Sequence, residues 1–395
     1  MNNLAKAPKI RFKGFSDEWE QIKLRDAATE IIAGGDINKD LLFPRGLFPV
    51  IANALNNEGI IGFYEKNFRV KAPAVTVTGR GDVGHATARE INFTPVVRLL
   101  SVKTIHDIYF LENAINLLHI VTESTGVPQL TVPQLSQYLL KFPQSFKEEE
   151  RIGTFFRKFD RIVTFHQRKL EKLQNIKKAL LEKMFPRNGS KYPEIRFKGF
   201  SDEWELRKLG DMMDVTSVKR IHQSDWTDRG VRFLRARDIV CAAKNQEPDK
   251  YLYISKEKYE EYSALSGKVN IFDLLVTGVG TIGVPYLVKS LEPVYFKDGN
   301  IIWFRNLTQI DGNFLFYSFL GNQIQSFIKE SSGIGTVGTY TIESGKKTPI
   351  SLPDRKEQQQ IGNLFCCIDN FISLQQRKLE KLQNLKKALL EKMFV

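Results

Sequence analysis

Two stretches of the chain place hydrophobic residues in steps of three and four over a long distance, in the same order both times. The first runs through Ile152, Phe155, Phe159, Ile162, Leu170, Leu173, Ile176, Leu180 and Met184. The second runs through Ile361, Leu364, Ile368, Phe371, Leu379, Leu382, Leu385, Leu389 and Met393. Such spacing draws one apolar stripe along a helix of about 40 residues, roughly 60 Å at 1.5 Å per residue. A helix so long with a single apolar face needs a partner, and the other copy is the obvious one, paired antiparallel as a coiled coil. The expected seam is Ile152, Phe159, Ile162, His166, Leu170, Leu173 and Leu180 against Ile361, Ile368, Phe371, Gln375, Leu379, Leu382 and Leu389. His166 and Gln375 interrupt the two stripes near their middles. Two readings stand for them: a buried polar layer that fixes register, or side chains leaning into solvent.

Between the helices the pattern changes to short strand-like runs, APAVTVTG (Ala72–Gly79), FDLLVTG (Phe272–Gly278) and NIIWFR (Asn300–Arg305), set among Gly-, Asn- and Pro-rich turns. Short helices are expected around Asp107–Leu118 and Asp311–Lys329. Strands and helices do not alternate regularly, so a doubly wound sheet is not expected and the expected fold class is α+β.

The repetition is literal. IRFKGFSDEWE stands at Ile10–Glu20 and again at Ile195–Glu205; QRKLEKLQNIKKALLEKMF (Gln167–Phe185) returns at Gln376–Phe394 with one difference, Ile176 against Leu385. The plan is segment, variable region, helix, said twice. It divides 395 residues into a repeated segment (1–20), a first variable domain (21–143), a first spacer helix (144–187), a linker with the second segment (188–205), a second variable domain (206–351) and a second spacer helix (352–395).

The formal net charge is +13 with a pI near 9.4, which points to an anionic partner, nucleic acid being the commonest. The excess sits outside the large domains: residues 143–205 carry 15 basic against 10 acidic side chains, whereas residues 21–142 carry 12 against 11. Any DNA-reading surface in the variable domains must therefore come from local clustering. On the first helix, Arg168, Lys169, Lys172, Lys177, Lys178 and Lys183 form a basic outer face, either a partner surface or a solvated flank. No apolar run is long enough to span a membrane. The first residues, MNNLAKAPKIRFKGF, lack the apolar core of a signal peptide, so cytoplasmic residence is expected. Three cysteines cannot staple a fold of this size; adjacent Cys366 and Cys367 read as buried small residues.

Catalytic chemistry finds no footing. TGRGDVG (Thr78–Gly84) and TGVGTIG (Thr277–Gly283) each contain a G-x-G-x-x-G. β-Branched residues follow, and Pro95, Pro285 and Pro293 interrupt any helix, so a glycine turn between strands is expected rather than a dinucleotide fingerprint. No phosphate loop is present, since Gly345–Thr348 (GKKT) lacks the spacing. There is no Pro-Pro for an amino-methyltransferase motif. The acid-x-Lys after Pro248-Asp249 (Asp354-Arg355-Lys356) is too distant for a nuclease. The five histidines do not cluster at metal-ligand spacing. No catalytic residue, metal site or cofactor is expected in this chain.

These features together resemble the specificity subunit of type I restriction-modification enzymes. Pro8-Lys9-Ile10-Arg11-Phe12 and Pro193-Glu194-Ile195-Arg196-Phe197 open the two halves, Gly153 and Gly362 stand early in the helices, and both helices close in L-x-x-(I/L)-K-x-x-L-L-x-x-M-F. The resemblance spans the chain. It implies two target recognition domains, each reading half of a split double-stranded DNA sequence. It also implies paired helices that act as a spacer and hold two methyltransferase subunits, with restriction (motor and nuclease) subunits joining them. S-adenosylmethionine, ATP and magnesium would belong to those partners. Unequal domains imply an asymmetric target. Polar side chains near turns and strand ends are the candidate base readers: Arg45, Asn53, Asn56, Arg80 and His85 in the first domain, Arg220, Arg235, Arg237, Thr281 and Thr336 in the second. Arg235 and Arg237 share one face if their run is a strand. Two rivals remain: a coiled-coil scaffold with peptide-binding domains, and a fused restriction-modification enzyme.

Overall fold

The computed structural model describes residues 7–121, 128–187, 189–332 and 338–394. The chain forms two compact units, Met1–Arg168 with Arg377–Val395, and Lys169–Gln376. Each unit thus takes its own repeated segment and variable domain, the near part of one long helix and the far part of the other. The long helices run Phe146–Lys183 and Arg355–Met393.

In the first unit, strands Ala28–Ala33, Leu99–Thr104, Ala74–Thr78 and Ala86–Arg89 form an antiparallel sheet in that order. A smaller sheet orders Ile60–Tyr64, Phe48–Ile51 and Thr94–Pro95, the last pair parallel. The second unit repeats this plan. Its first sheet orders Asp214–Thr216, Ile301–Arg305, Leu274–Thr277 and Pro285–Leu287; its second orders Trp226–Thr227, Leu252–Ile254, Val231–Leu234 and Val294–Phe296, again with one parallel pair. Helices Ala236–Ala243 and Lys256–Ser266 lie in the second variable domain, the longer of the two. The expected helix over 311–329 is two, Gly312–Leu320 and Asn322–Ser331, broken at Gly321, which takes an extended backbone (ψ 156°).

The repeated segment closes each unit in the same way. Arg11 grips Glu148 on the first long helix through two hydrogen bonds of 2.6 and 2.7 Å, and Arg196 grips Glu357 on the second through two of 2.8 Å. Both carboxylates are almost wholly buried, so each requires its bidentate partner. One residue earlier, the Ile10 amide donates to the Lys392 carbonyl and the Ile195 amide to the Lys183 carbonyl, each at 2.9 Å. The segment therefore joins the start of one helix to the last turn of the other. Phe394 and Phe185 follow those last turns into aromatic clusters, Phe394 with Trp19, Phe110 and Phe156, and Phe185 with Trp204, Phe314 and Phe365.

Gly153 and Gly362 have a steric reason. Each faces a helix N-terminus capped by an aspartate, Asp107 or Asp311. A Cβ would lie 2.9 Å from the Phe110 or Phe314 amide nitrogen and would meet the capping carboxylate as well.

Within each unit the helix segments run antiparallel. Asp160 pairs with Lys386 at 2.5 Å in the first, and Asp369 with Lys177 at 2.6 Å in the second. Buried and half-buried positions follow steps of four and three: Ile152, Phe156, Phe159, Val163, His166, Leu170, Leu173, Lys177, Leu180, Met184. On the second helix they are Ile361, Phe365, Ile368, Ile372, Gln375, Leu379, Leu382, Lys386, Leu389, Met393. Ile162 and Phe371 are not on this line. A step of four from Phe159 or Ile368 reaches Val163 or Ile372, which leaves Ile162 and Phe371 about 47 % and 54 % exposed. Lys177 leaves the basic outer face for the same reason. His166 and Gln375 are both buried, so neither leans into solvent. Cys366 is half-buried and Cys367 exposed, against the expectation that both are buried.

Arg11→Ala leaves Glu148 buried without its counter-charge, so it should cost about 3–5 kcal/mol, read as a lower denaturation midpoint; Arg196→Ala should do the same. A second expectation concerns Glu112, on the helix Ile108–Asn116. Burial, reinforced by Asp160, pushes its pKa up to about 7, although the Ala88 amide, Lys386 and Arg89 oppose the shift. The folded chain holds this proton more tightly than the unfolded one does. Ionisation therefore costs stability, and the cost grows from about pH 4.5 to about pH 7. Glu112→Gln should raise the melting temperature at pH 8, with the gain shrinking as pH falls and vanishing below about pH 4.

Candidate nucleic-acid interface

The literal glycine repeats build one feature in both variable domains, a tight turn joining the last two strands of the antiparallel four-stranded sheet. In the first, the Thr78 hydroxyl donates to the Asp82 carbonyl and accepts from the His85 amide at 2.9 Å, while the Gly84 amide donates to the Thr78 carbonyl at 2.8 Å. In the second, the Thr277 hydroxyl donates to the Thr281 carbonyl at 2.5 Å and accepts from Val284 at 2.9 Å, and Gly283 donates to the Thr277 carbonyl at 2.8 Å. Gly81, Gly84, Gly280 and Gly283 all lie at φ between 70° and 90°, which glycine reaches without strain. A strand follows each turn, so no helix N-terminus is offered to a pyrophosphate.

The frame is shared and the tip is not. The first turn presents Arg80-Gly81-Asp82, the second Val279-Gly280-Thr281. Arg80 and Thr281 are exposed. The Gly79 carbonyl accepts from Leu130, as the Gly278 carbonyl accepts from Tyr340, each at 2.9 Å, so both turns are anchored from below.

The other candidates fall into distinct roles. Asn53 is a brace: its carbonyl oxygen accepts from the Gly79 amide at 2.8 Å and its amide donates to the Val97 carbonyl at 3.0 Å. Arg45 is exposed, and Asn56 is exposed in the 3-10 turn Asn56–Gly59, where Asn57 and Glu58 take left-handed backbone angles. Desolvation and the Arg89 charge hold the exposed His85 below the ordinary histidine pKa. Arg220 is exposed but paired with Asp298 at 2.8 Å.

Arg235 and Arg237 do not share a strand face. The strand ends at Leu234 and a helix begins at Ala236. Arg235 is bound to the buried Asp238 through Nε and Nη2, both at 2.9 Å, and to the Lys250 carbonyl at 2.7 Å. It caps that helix instead of facing DNA. Arg237 is exposed on the helix and borders an open cavity of about 470 Å³ with Cys241, Glu247 and Asp249. Thr336 lies outside the described residues.

Two cationic positions escaped the sequence reading. Arg98 occupies a left-handed turn at φ 71°, hidden in VVRLL, which reads as uninterrupted strand. Arg232 stacks on Tyr251 with its guanidinium carbon 3.6 Å from the ring centre. The YLY alternation at Tyr251–Tyr253 was the available signal for a shared aromatic face. Among the described residues no group of His, Cys, Asp and Glu is placed to hold a metal ion, and no helix is long and apolar enough to cross a membrane.

The arrangement resembles known proteins in sequence and in fold. A family model for the type I restriction modification DNA specificity domain matches residues 16–175 and again 201–384. The specificity subunit of the type I restriction enzyme MjaVIII from Methanocaldococcus jannaschii is 25 % identical over 288 residues, 68 % of this chain and 64 % of that protein. A putative type I specificity subunit of Mycoplasma pneumoniae, S.MpnORF507P, is 28 % identical over 143 residues, 35 % of this chain and 39 % of that one. These matches thus span less than two thirds of the relatives' lengths. The crystal structure of a type I restriction-modification S subunit from M. genitalium superposes with a TM-score of 0.69 at 13 % identity, covering 98 % of this chain and 99 % of that one. A structure from work on assembly and conformational transition of the type I system gives 0.52 at 13 % identity, covering 95 % and 97 %. At that identity the likeness is one of fold.

Proposed function

The chain belongs to the type I restriction modification DNA specificity family, and on that premise we propose that it reads a split, asymmetric DNA target, one half with each variable domain. It is a specificity subunit and carries no catalysis of its own. S-adenosylmethionine-dependent methyl transfer, and ATP- and magnesium-dependent translocation and cleavage, belong to two methyltransferase subunits and to the restriction subunits bound through them. Work on chromosomal DNA implies residence in the cytoplasm.

One observation carries this reading. The contacts that close the units recur residue for residue, Arg11–Glu148 as Arg196–Glu357 and Asp160–Lys386 as Asp369–Lys177, while the turn tips differ as Arg80 differs from Val279. A constant frame with variable tips suits constant partners and variable DNA. Within each unit the recurrence supports antiparallel pairing of the helix segments, as in a coiled coil.

Docking of two identical partners draws on the exposed apolar residues of the helices. Ile162 and Phe165 on the first correspond to Phe371 and Leu374 on the second, all between 47 % and 63 % exposed. Ile176 and Leu385, also exposed, continue the same face. Apolar surface repeated in both copies outside the buried line is what two copies of one partner would cover.

Sequencing that detects methylated bases, in cells carrying this chain and its cognate methyltransferase, should reveal a split, asymmetric motif. Exchanging residues 206–351 for those of another family member should alter one half of it and leave the other intact. A complex that assembles yet methylates no motif refutes the proposal. For docking, Phe165→Glu and Leu374→Glu should each release one methyltransferase, seen as the loss of one subunit mass from the assembled complex. Both sites are exposed, so the fold should tolerate either change.

A further inference from the structure

The turn Val96–Leu99 leads into the strand Leu99–Thr104, closed by the Leu99 amide donating to the Val96 carbonyl at 3.0 Å. Arg98 fills its left-handed position at φ 71°. Side chains other than glycine, and to a lesser degree asparagine, avoid that region because Cβ crowds the following carbonyl. In the second unit the turn between Val294–Phe296 and Ile301–Arg305 meets the same need with Gly299 at φ 69°. By strand register the residue matching Arg98 is Asn300, one place after that glycine, so the first domain puts its left-handed residue, a bulky cation, directly before the strand.

The Arg98 side chain is half-buried. Arg98 makes no ion pair and no side-chain hydrogen bond among the described residues. Its backbone, by contrast, is held firmly. Asn53 ties the Val97 carbonyl to the Gly79 amide, at 3.0 and 2.8 Å, and Gly79 lies so close to the Arg98 carbonyl that a Cβ there would overlap it. The next residue, Arg80, is exposed and likewise has no side-chain partner among the described residues. Two uncommitted guanidinium groups therefore arise from one braced corner. Strained backbone positions cluster at ligand-contacting sites, and Arg98 is one of six non-glycine residues with positive φ among the described residues.

We propose that Arg98 is a specificity-determining residue for the first half-site, where it reads a guanine, and that Asn53 and Gly79 position it beside Arg80. Guanine offers O6 and N7 as paired acceptors in the major groove, which the guanidinium fork meets bidentately. This inference rests on the DNA-specificity reading above and adds the base and the residue.

The test uses the assembled complex with its methyltransferase. In Arg98→Gly, one G·C position of the first half-site should lose its preference by roughly 10- to 100-fold in relative methylation rate. The second half-site should be unchanged, and the melting temperature unchanged or higher. Arg98→Lys, which keeps the charge and loses the fork, should not restore the preference. An unchanged motif at an unchanged rate overturns the inference. So does uniformly slower methylation of an unchanged motif, the signature of a phosphate contact, or a clear fall in melting temperature in Arg98→Gly. Absence of any motif with the unsubstituted chain would instead sink the underlying DNA-specificity reading, so the two failures are distinguishable.

Discussion

A buried carboxylate near the start of each long helix sets the organisation of the chain. Glu148 and Glu357 are shut away from water, and a lone charge there would cost several kcal/mol. Among the described residues an arginine from the repeated segment is the side chain that satisfies each of them, so Arg11 and Arg196 must arrive at fixed places. Because the neighbouring Ile10 and Ile195 amides hold the last turn of the opposite helix, the same short segment fixes both helix ends in its unit. Each unit is thereby closed by sequence drawn from two distant parts of the chain.

The remaining contacts along the helices are softer. The Asp160–Lys386 and Asp369–Lys177 pairs are partly exposed, and such pairs contribute at most about 1 kcal/mol each. Their value is in register, as they align the helix segments that carry the buried apolar line. Stability comes instead from the aromatic clusters around Phe394 and Phe185, where large rings pack at centroid distances of 5.1 to 6.1 Å. A frame closed by buried charge and packed rings leaves the variable domains free to change their turns. The left-handed Arg98 shows one such freedom being used at a cost in local strain.

Much of this frame was legible from residue order. Repetition at two levels gave the segment-domain-helix plan, and the three-four spacing gave both long helices. The glycine turns were identified as strand connections because proline and β-branched residues follow them. Side-chain commitments were not legible. Arg235 looks available in the sequence and is bound to Asp238; Ile162 looks like seam and is exposed, since Ile162 and Val163 fit an apolar spacing equally well. Arg98 gave no signal at all, because a two-residue turn within VVRLL leaves the hydrophobic pattern unbroken.

The sequence by itself determined the duplication, the helices and the α+β character, since these follow from periodicity and from glycine and proline, which act on the local backbone. Only the tertiary structure decided which arginines are spent inside the fold and which remain free. Arg11 and Arg196 meet carboxylates 137 and 161 residues away. A pairing across that distance leaves no trace in local pattern, because it depends on where folding brings a charge that cannot stay buried alone.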